Sequence, residues 1–132
     1  MKRAIVLLLA LAAFGASAAA GSTGPASTLR ADVAEGSIVP STGSVAAGRV
    51  RIVVHNFGRE AHRVTLVRTS SFDQQLPLRG VRAVVRPIVE TTLIRSGGQA
   101  SFEVTLRRGS YMLLDNLPWN YWKGMSVAFT VH

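Results

Sequence analysis

Apolar and polar residues alternate with a period of two along several short segments of the chain. In "VRIVVHN", the apolar residues Val50, Ile52 and Val54 fall on one face, and Arg51 falls on the other. The same alternation runs through "LRADVA", "HRVTLV", "SFEVTLRRG" and the C-terminal "MSVAFTVH". Because successive side chains of a strand point to opposite sides of a sheet, this period predicts strands with one buried face.

Turn-forming residues separate these segments, as in "EGS", "PSTG", "NFG", "SGGQ" and "RRGS". Six or seven short strands joined by such turns, with no long amphipathic helix, predict an all-β sandwich. We expect this domain to occupy residues 29–132, after a flexible segment of small residues at 21–28. From Ser70 to Pro87 the pattern assigns no strand, and this stretch is expected to cross between sheets or to carry a short helix.

The first twenty residues have a different character from the rest. Lys2 and Arg3 precede the apolar run "AIVLLLALAAFGA", and small residues follow it up to Ala20. This order is typical of a secretory signal peptide, and the run is shorter than the roughly 20 residues of a membrane span. We therefore expect residues 1–20 to be removed, and the mature protein to be periplasmic or secreted with no transmembrane segment. Since no cysteine follows the run, a lipid anchor at that position is excluded.

The chain is basic, with 15 Lys and Arg against 7 Asp and Glu. Without Lys2 and Arg3 the balance is 13 against 7, or +6. The arginines are scattered along the predicted strands and turns, which favours a solvated cationic surface over nucleic-acid binding. The charge nevertheless favours an anionic partner or surface.

Two motifs fall in register with the strands. "VVHNFGREAH" contains Asn56 and Gly58 followed by His62, and "YMLLDNLPWNYWKGM" runs from Tyr111 to Met125. These motifs resemble those of the cupredoxins, the small blue copper proteins, in which N-x-G precedes a histidine ligand. The family's late motif, Y-x-L-x-C-N-x-P-G-H-x-x-x-G-M, supplies cysteine, histidine and methionine ligands. The matching residues here are Tyr111, Leu113, Asn116, Pro118, Gly124 and Met125. The resemblance implies a cupredoxin-like Greek-key sandwich of about seven strands.

The departures from the family's ligand set decide the expected chemistry. Asp115 stands at the cysteine position, Asn120 at the second histidine and Trp119 at the glycine, and only His62 and Met125 keep their ligand types. A type 1 site depends on a copper–thiolate bond, so a chain without cysteine is expected to lack one. We accordingly expect no cofactor. The alternative is a non-blue copper or zinc site at His62, Asp115, Asn120 and Met125.

The aromatic loop suggests another function. In the resembled family this loop forms the face on which redox partners dock. Trp119, Tyr121 and Trp122 lie close together there, and exposed aromatic residues beside basic ones are typical anchors of a protein interface. The competing interpretation is that one indole packs over the former ligand position. We expect a binding or accessory module with an unknown protein or anionic surface as partner. An enzyme is not expected, because no nucleophile lies in a recognisable motif. His55 and His132 are predicted to be surface residues.

Overall fold

The computed structural model describes residues 27–132. In this part the prediction of an all-β chain is confirmed, and the chain forms no helix. Residues 27–132 accordingly contain no helix long and apolar enough to cross a membrane. The strands are β1 (Ser27–Ala34), β2 (Ser37–Pro40), β3 (Ser44–Val45), β4 (Gly48–Asn56), β5 (Thr65–Thr69), β6 (Leu78–Arg79), β7 (Arg82–Ala83), β8 (Pro87–Glu90), β9 (Gln99–Leu106), β10 (Gly109–Leu114) and β11 (Ser126–Val131).

The number of strands is larger than the predicted seven, because three of the eleven contain only two residues. Such short pairings leave no period to detect in the sequence. β1 begins at Ser27, and Ser27 and Thr28 pair with Val50 and Arg51, so these two residues belong to the sheet and not to a flexible segment. The expected signal peptide at residues 1–20 lies outside the described residues.

The strands form two main sheets and one small hairpin. The first sheet has the order β2-β1-β4-β9 and the second β3-β11-β10-β5-β8, while β6 pairs with β7. The β1–β4 and β11–β3 pairs are parallel and the others antiparallel. Since β4 and β5 are consecutive but lie in different sheets, the loop between them crosses from one sheet to the other at one end of the sandwich.

The alternating residues meet between the sheets, as the sequence pattern predicts. Leu29 and Ile52 pair across β1 and β4 and are fully buried. From the second sheet, Tyr111 stacks on Phe129 with the ring centroids 5.7 Å apart. Burying one large apolar side chain stabilises a fold by about 1.5–3 kcal/mol. The fold therefore depends on this core, and neither disulfides nor helices reinforce it in residues 27–132.

The segment from residue 70 to residue 87 covers the outer face of the second sheet. It carries the β6–β7 hairpin and joins β5 to β8 of the same sheet, so the suggestions of a crossing between sheets and of a short helix were both wrong. Val67, Met112 and Leu114 point outward from β5 and β10 and form a second apolar cluster with Ala83. Because β5 and β10 are apolar on both faces, their outer face needs a cover. This cover positions the hairpin beside the loop between β10 and β11.

Candidate functional site

Three loops meet at one end of the sandwich: the β1–β2 turn, the β4–β5 loop and the β10–β11 loop. Asn56 organises the second of these. Its side-chain amide donates to the carbonyls of Glu60 (2.8 Å) and Ile94 (2.9 Å), and its carbonyl accepts from the Gly58 N–H (2.8 Å). The backbone of His62 then exchanges hydrogen bonds with that of Ile94, at 2.9 and 2.7 Å. These contacts explain why the Asn-x-Gly pattern precedes a histidine that is 1% exposed.

Gly58 lies directly under the carboxylate of Glu35. A β-carbon at position 58 would lie 2.5 Å from Oε1 of Glu35 and 2.8 Å from Oε2. The Glu35 carboxylate accepts a hydrogen bond from the backbone N–H of Glu60 at 2.7 Å. This bond is the main reason that the pKa of Glu35 is lowered to about 2. An ionised carboxylate is thereby fixed over the β4–β5 loop.

Asp115 and His62 form the centre of the site. Oδ2 of Asp115 lies 2.7 Å from Nδ1 of His62, and both side chains are buried. The same oxygen accepts from the amide of Asn120 at 3.0 Å, and Oδ1 accepts from the Leu117 N–H at 2.9 Å. An ionised carboxylate only accepts hydrogen bonds, so in this contact the imidazole donates from Nδ1. The carboxylate thus has three partners and joins the β4–β5 loop to the β10–β11 loop.

The other nitrogen of His62 has an unusual environment. Nε2 is buried and has no hydrogen-bond partner within residues 27–132. It lies 3.4 Å from Oε1 of Glu35, which is within ion-pair range but longer than a normal hydrogen bond. The imidazole is therefore placed between two carboxylates, one in hydrogen-bond contact and one slightly beyond it.

Met125 contributes through its backbone and through packing. Its N–H donates to the carbonyl of Asn120, and its carbonyl accepts from the N–H of Asp115, both at 3.0 Å. Its side chain is 1% exposed and belongs to the main hydrophobic core. The structure therefore brings His62, Asp115, Asn120 and Met125 to one place, where the first three are joined by side-chain hydrogen bonds.

Both tryptophans lie on the surface. Trp119 is 50% exposed and Trp122 is 66% exposed, and their rings meet at 77° with the centroids 6.0 Å apart. The interpretation that one indole packs over the former ligand position therefore stays a prediction for the buried half of Trp119. Tyr121 is half-buried and belongs to the second core, and its hydroxyl accepts from the Leu76 N–H at 2.9 Å. Among the three aromatic residues expected to bind a partner, the tryptophans are the accessible ones.

Trp119 also has a strained backbone, with φ of 71°. The loop is fixed around it by three backbone hydrogen bonds. The N–H of Trp119 donates to the Val81 carbonyl, and the carbonyl of Trp119 accepts from the Lys123 N–H, both at 2.9 Å. The Asn120 N–H donates to the Leu117 carbonyl at 3.0 Å. Nearby, the Asn116 amide pairs with both backbone groups of Ala83, at 2.8 and 2.9 Å. The β6–β7 hairpin thus supports the tryptophan loop.

Comparison with solved structures identifies the fold. The chain is similar to reduced auracyanin from the photosynthetic bacterium Roseiflexus castenholzii, with 20% identity and a TM-score of 0.60 over 83% of this chain and 99% of that one. It is also similar to auracyanin B, with 20% identity and a TM-score of 0.59 over 83% and 91% of the two chains. The chain is similar as well to rusticyanin from Thiobacillus ferrooxidans, with 18% identity and a TM-score of 0.57 over 82% of this chain and 79% of that one. The chain has the cupredoxin fold. No family model matches the sequence, and no curated protein matches it.

The residues at the cupredoxin ligand positions do not fit a type 1 copper ion. The thiolate is missing because the sequence contains no cysteine. Two ligands with bonds of 2.0–2.1 Å to one tetrahedral metal would lie about 3.3 Å apart. The 2.7 Å between His62 and Asp115 is instead a hydrogen-bond distance. Asn120 turns its N–H toward the carboxylate, and an amide N–H is not a metal ligand. Residues 27–132 contain no group of three His, Asp or Glu side chains that could hold a metal ion.

Sequence analysis missed Glu35 and the role of residues 70–87. Glu35 was recognised only as part of a turn, and no local pattern links it to His62. Gly58 was the one available signal, since a glycine can mark a close approach of another group. The two remaining histidines lie elsewhere: His55 contacts the ring of Phe57 at 4.0 Å, and His132 is exposed at the end of the chain.

Proposed function

We propose that this protein is an exported binding or accessory module, periplasmic or secreted, which uses the cupredoxin fold without a type 1 copper site and binds through Trp119 and Trp122. The observation that carries the proposal is the conformation of Trp119. Its φ of 71° lies in the left-handed region, which costs a non-glycine residue about 1–2 kcal/mol. The ring is nevertheless half exposed to solvent. Strained residues of this kind concentrate at functional sites.

The support around the loop favours binding. The Trp119 N–H donates to the Val81 carbonyl, and the backbone N–H groups of Lys123 and Ala83 donate to the loop, so the loop is restricted before any partner arrives. A surface that is ordered in advance loses less entropy on binding. Exposed tryptophans on such a support are frequent hot spots of protein interfaces.

The geometry at His62 gives no support to an enzyme. In a catalytic triad the second imidazole nitrogen faces the nucleophile. Here Nε2 of His62 faces the Glu35 carboxylate at 3.4 Å. We therefore propose that the Asp115–His62 pair is structural.

The test is recovery of envelope proteins by immobilised protein, with Trp122→Ala compared to wild type. The matched control is Phe72→Ala, since Phe72 is a similarly exposed ring (59%) outside the loop. We expect Trp122→Ala to lose the partners that Phe72→Ala retains. The same partners at equal recovery from both variants would contradict the proposal.

A second candidate is copper handling through a non-blue site. It is favoured by the convergence of His62, Asp115, Asn120 and Met125 at one buried place. The rusticyanin relative is described as a copper protein. Binding would require the Asp115–His62 hydrogen bond to open. Titration with Cu(I) and Cu(II) distinguishes the two candidates. A copper affinity that is lost in His62→Ala but kept in the control His55→Ala would establish the non-blue site. An equal copper affinity in the two variants would exclude that site.

A further inference from the structure

The β6–β7 hairpin and the tryptophan loop together form one surface, which we call the cationic aromatic patch. It is built from Leu78, Arg79, Arg82, Trp119, Trp122 and Lys123. The Trp119 N–H bonds to the Val81 carbonyl, which places the loop against the tip of the hairpin. Leu78 and Trp122 line the same groove of about 470 Å³. Lys123 follows Trp122 directly, and its N–H bonds to the carbonyl of Trp119.

The patch carries positive charge that the described part of the chain does not neutralise. Arg79 and Arg82 are directly opposite each other in the hairpin, an arrangement in which like charges repel. Within residues 27–132, neither of them nor Lys123 forms an ion pair or a side-chain hydrogen bond. Glu90 lines the same small pocket as Arg82 but lies beyond ion-pair distance. The two neighbouring arginines, with Lys123 on the adjoining loop, fit an anionic partner.

The apolar members of the patch are unusually exposed. Trp122 is 66% exposed, Trp119 50% and Leu78 46%. Tryptophan has an apolar ring with one polar N–H, and for this reason it is enriched at the interface between lipid tails and water. Peripheral binding to a bilayer combines the burial of such side chains with attraction of Lys and Arg to anionic headgroups. The patch has both components and contains no carboxylate.

We propose that the cationic aromatic patch docks the protein onto an anionic lipid bilayer, with both indoles in the headgroup region and the three cations against lipid phosphates. This inference rests on the proposed binding function of the tryptophan loop and names its partner. A bilayer fits better than an acidic protein or a planar ligand. The rings lie at 77° to each other, so they offer no single stacking plane, and a fluid surface requires no complementary pocket.

The chain is well suited to a direct test, because its only two tryptophans are in the patch. The full chain is expressed, purified after export, and its N-terminus determined by mass spectrometry. Tryptophan emission is then followed while vesicles of phosphatidylcholine, or of equal parts phosphatidylcholine and phosphatidylglycerol, are added. We expect a blue shift with the anionic vesicles only, quenching by brominated lipid, and loss of binding as salt is raised.

Two variants separate the effect of the patch on binding from the effect of the protein's net charge. Arg82→Gln should lower the partition coefficient about fivefold, the effect of one cation near an anionic surface. Arg51→Gln is the matched control, because Arg51 is exposed on the first sheet away from the patch, and it should bind as wild type does. Equal losses in the two variants would overturn the proposal.

Failure of the lipid inference is distinguishable from failure of the proposed function. Lipid docking would be refuted if the protein showed no blue shift and no cosedimentation with anionic vesicles. The proposed binding module would still stand if Trp122→Ala failed to recover a protein partner that the wild type recovers. No effect of Trp122→Ala in either assay would refute both.

Discussion

Replacing Asp115 by alanine tests the central contact of the site. The substitution removes the acceptor for His62 Nδ1, for the Asn120 amide and for the Leu117 N–H. His62 is 1% exposed, so water cannot readily replace the lost carboxylate at Nδ1. The neighbouring Glu35 carboxylate, 3.4 Å from Nε2, cannot reach Nδ1 either.

The size of the effect follows from the burial of the pair. Leaving one buried donor unsatisfied costs about 1–3 kcal/mol. Asp115→Ala leaves three donors without their acceptor, and that of His62 is the most deeply buried of the three. We therefore expect Asp115→Ala to lower the free energy of unfolding by about 3–5 kcal/mol, a large part of the 5–15 kcal/mol typical of a domain. The midpoint of thermal unfolding should fall by at least about 12 °C.

The assay is urea unfolding followed by circular dichroism, with thermal melts in parallel. Asp32→Ala is the control, because Asp32 is an exposed aspartate on β1, and its effect should stay within about 0.5 kcal/mol. The double variant with His62→Ala should be less destabilised than the sum of the single variants, since both remove the same contact. A folded Asp115→Ala protein within 1 kcal/mol of wild type would refute the idea that this network holds the loops together.

Three further predictions concern Glu35, Gly58 and Trp119. Because the pKa of Glu35 is lowered from 4.5 to about 2, its contribution is complete above pH 4.5 and is lost toward pH 2. The melting temperature of wild type should exceed that of Glu35→Gln at pH 6, and the gap should close by pH 2; a constant gap would contradict this. Gly58→Ala should destabilise the fold by about 1 kcal/mol, because its β-carbon would displace the Glu35 carboxylate from its hydrogen bond with the Glu60 N–H. In a Glu35→Ala background, Gly58→Ala should hardly change the free energy of unfolding measured with urea. An undiminished loss of stability in that background would show that the added β-carbon clashes with another group. Trp119→Gly relieves the positive φ but removes a half-buried ring, and it should weaken partner or vesicle binding. A destabilised variant that binds normally would show that the ring serves packing.

The fold was largely predictable because its signal is local. Val50, Ile52 and Val54 recur at every second position, and all three are fully buried as the period requires. The segment at 70–87 was not predictable, because its strands have two residues each and its role is to cover Met112 and Leu114. That role depends on the apolar outer face of a sheet formed elsewhere in the chain.

The sequence was sufficient to predict which residues form the candidate site, but not how they are arranged. The spacing of the two motifs was sufficient to select His62, Asp115, Asn120 and Met125; the first three side chains are hydrogen-bonded together, and Met125 joins them through its backbone. Glu35 escaped detection because its contact with Gly58 joins two turns that no common period links. The exposure of the two indoles could not be predicted either, because the sequence of an aromatic loop does not show whether its rings point inward or outward.

By itself the sequence determined the strand faces, the turns and the lack of a thiol, because these depend on residue type and short-range periodicity. Only the tertiary structure decided that Asp115 lies 2.7 Å from His62, that Glu35 lies over Gly58, and that both tryptophans face solvent beside two arginines. The physical reason is that these are distances between segments far apart in the chain. They are set by how two sheets and their covering hairpin pack, and the period of any one strand contains no information about them.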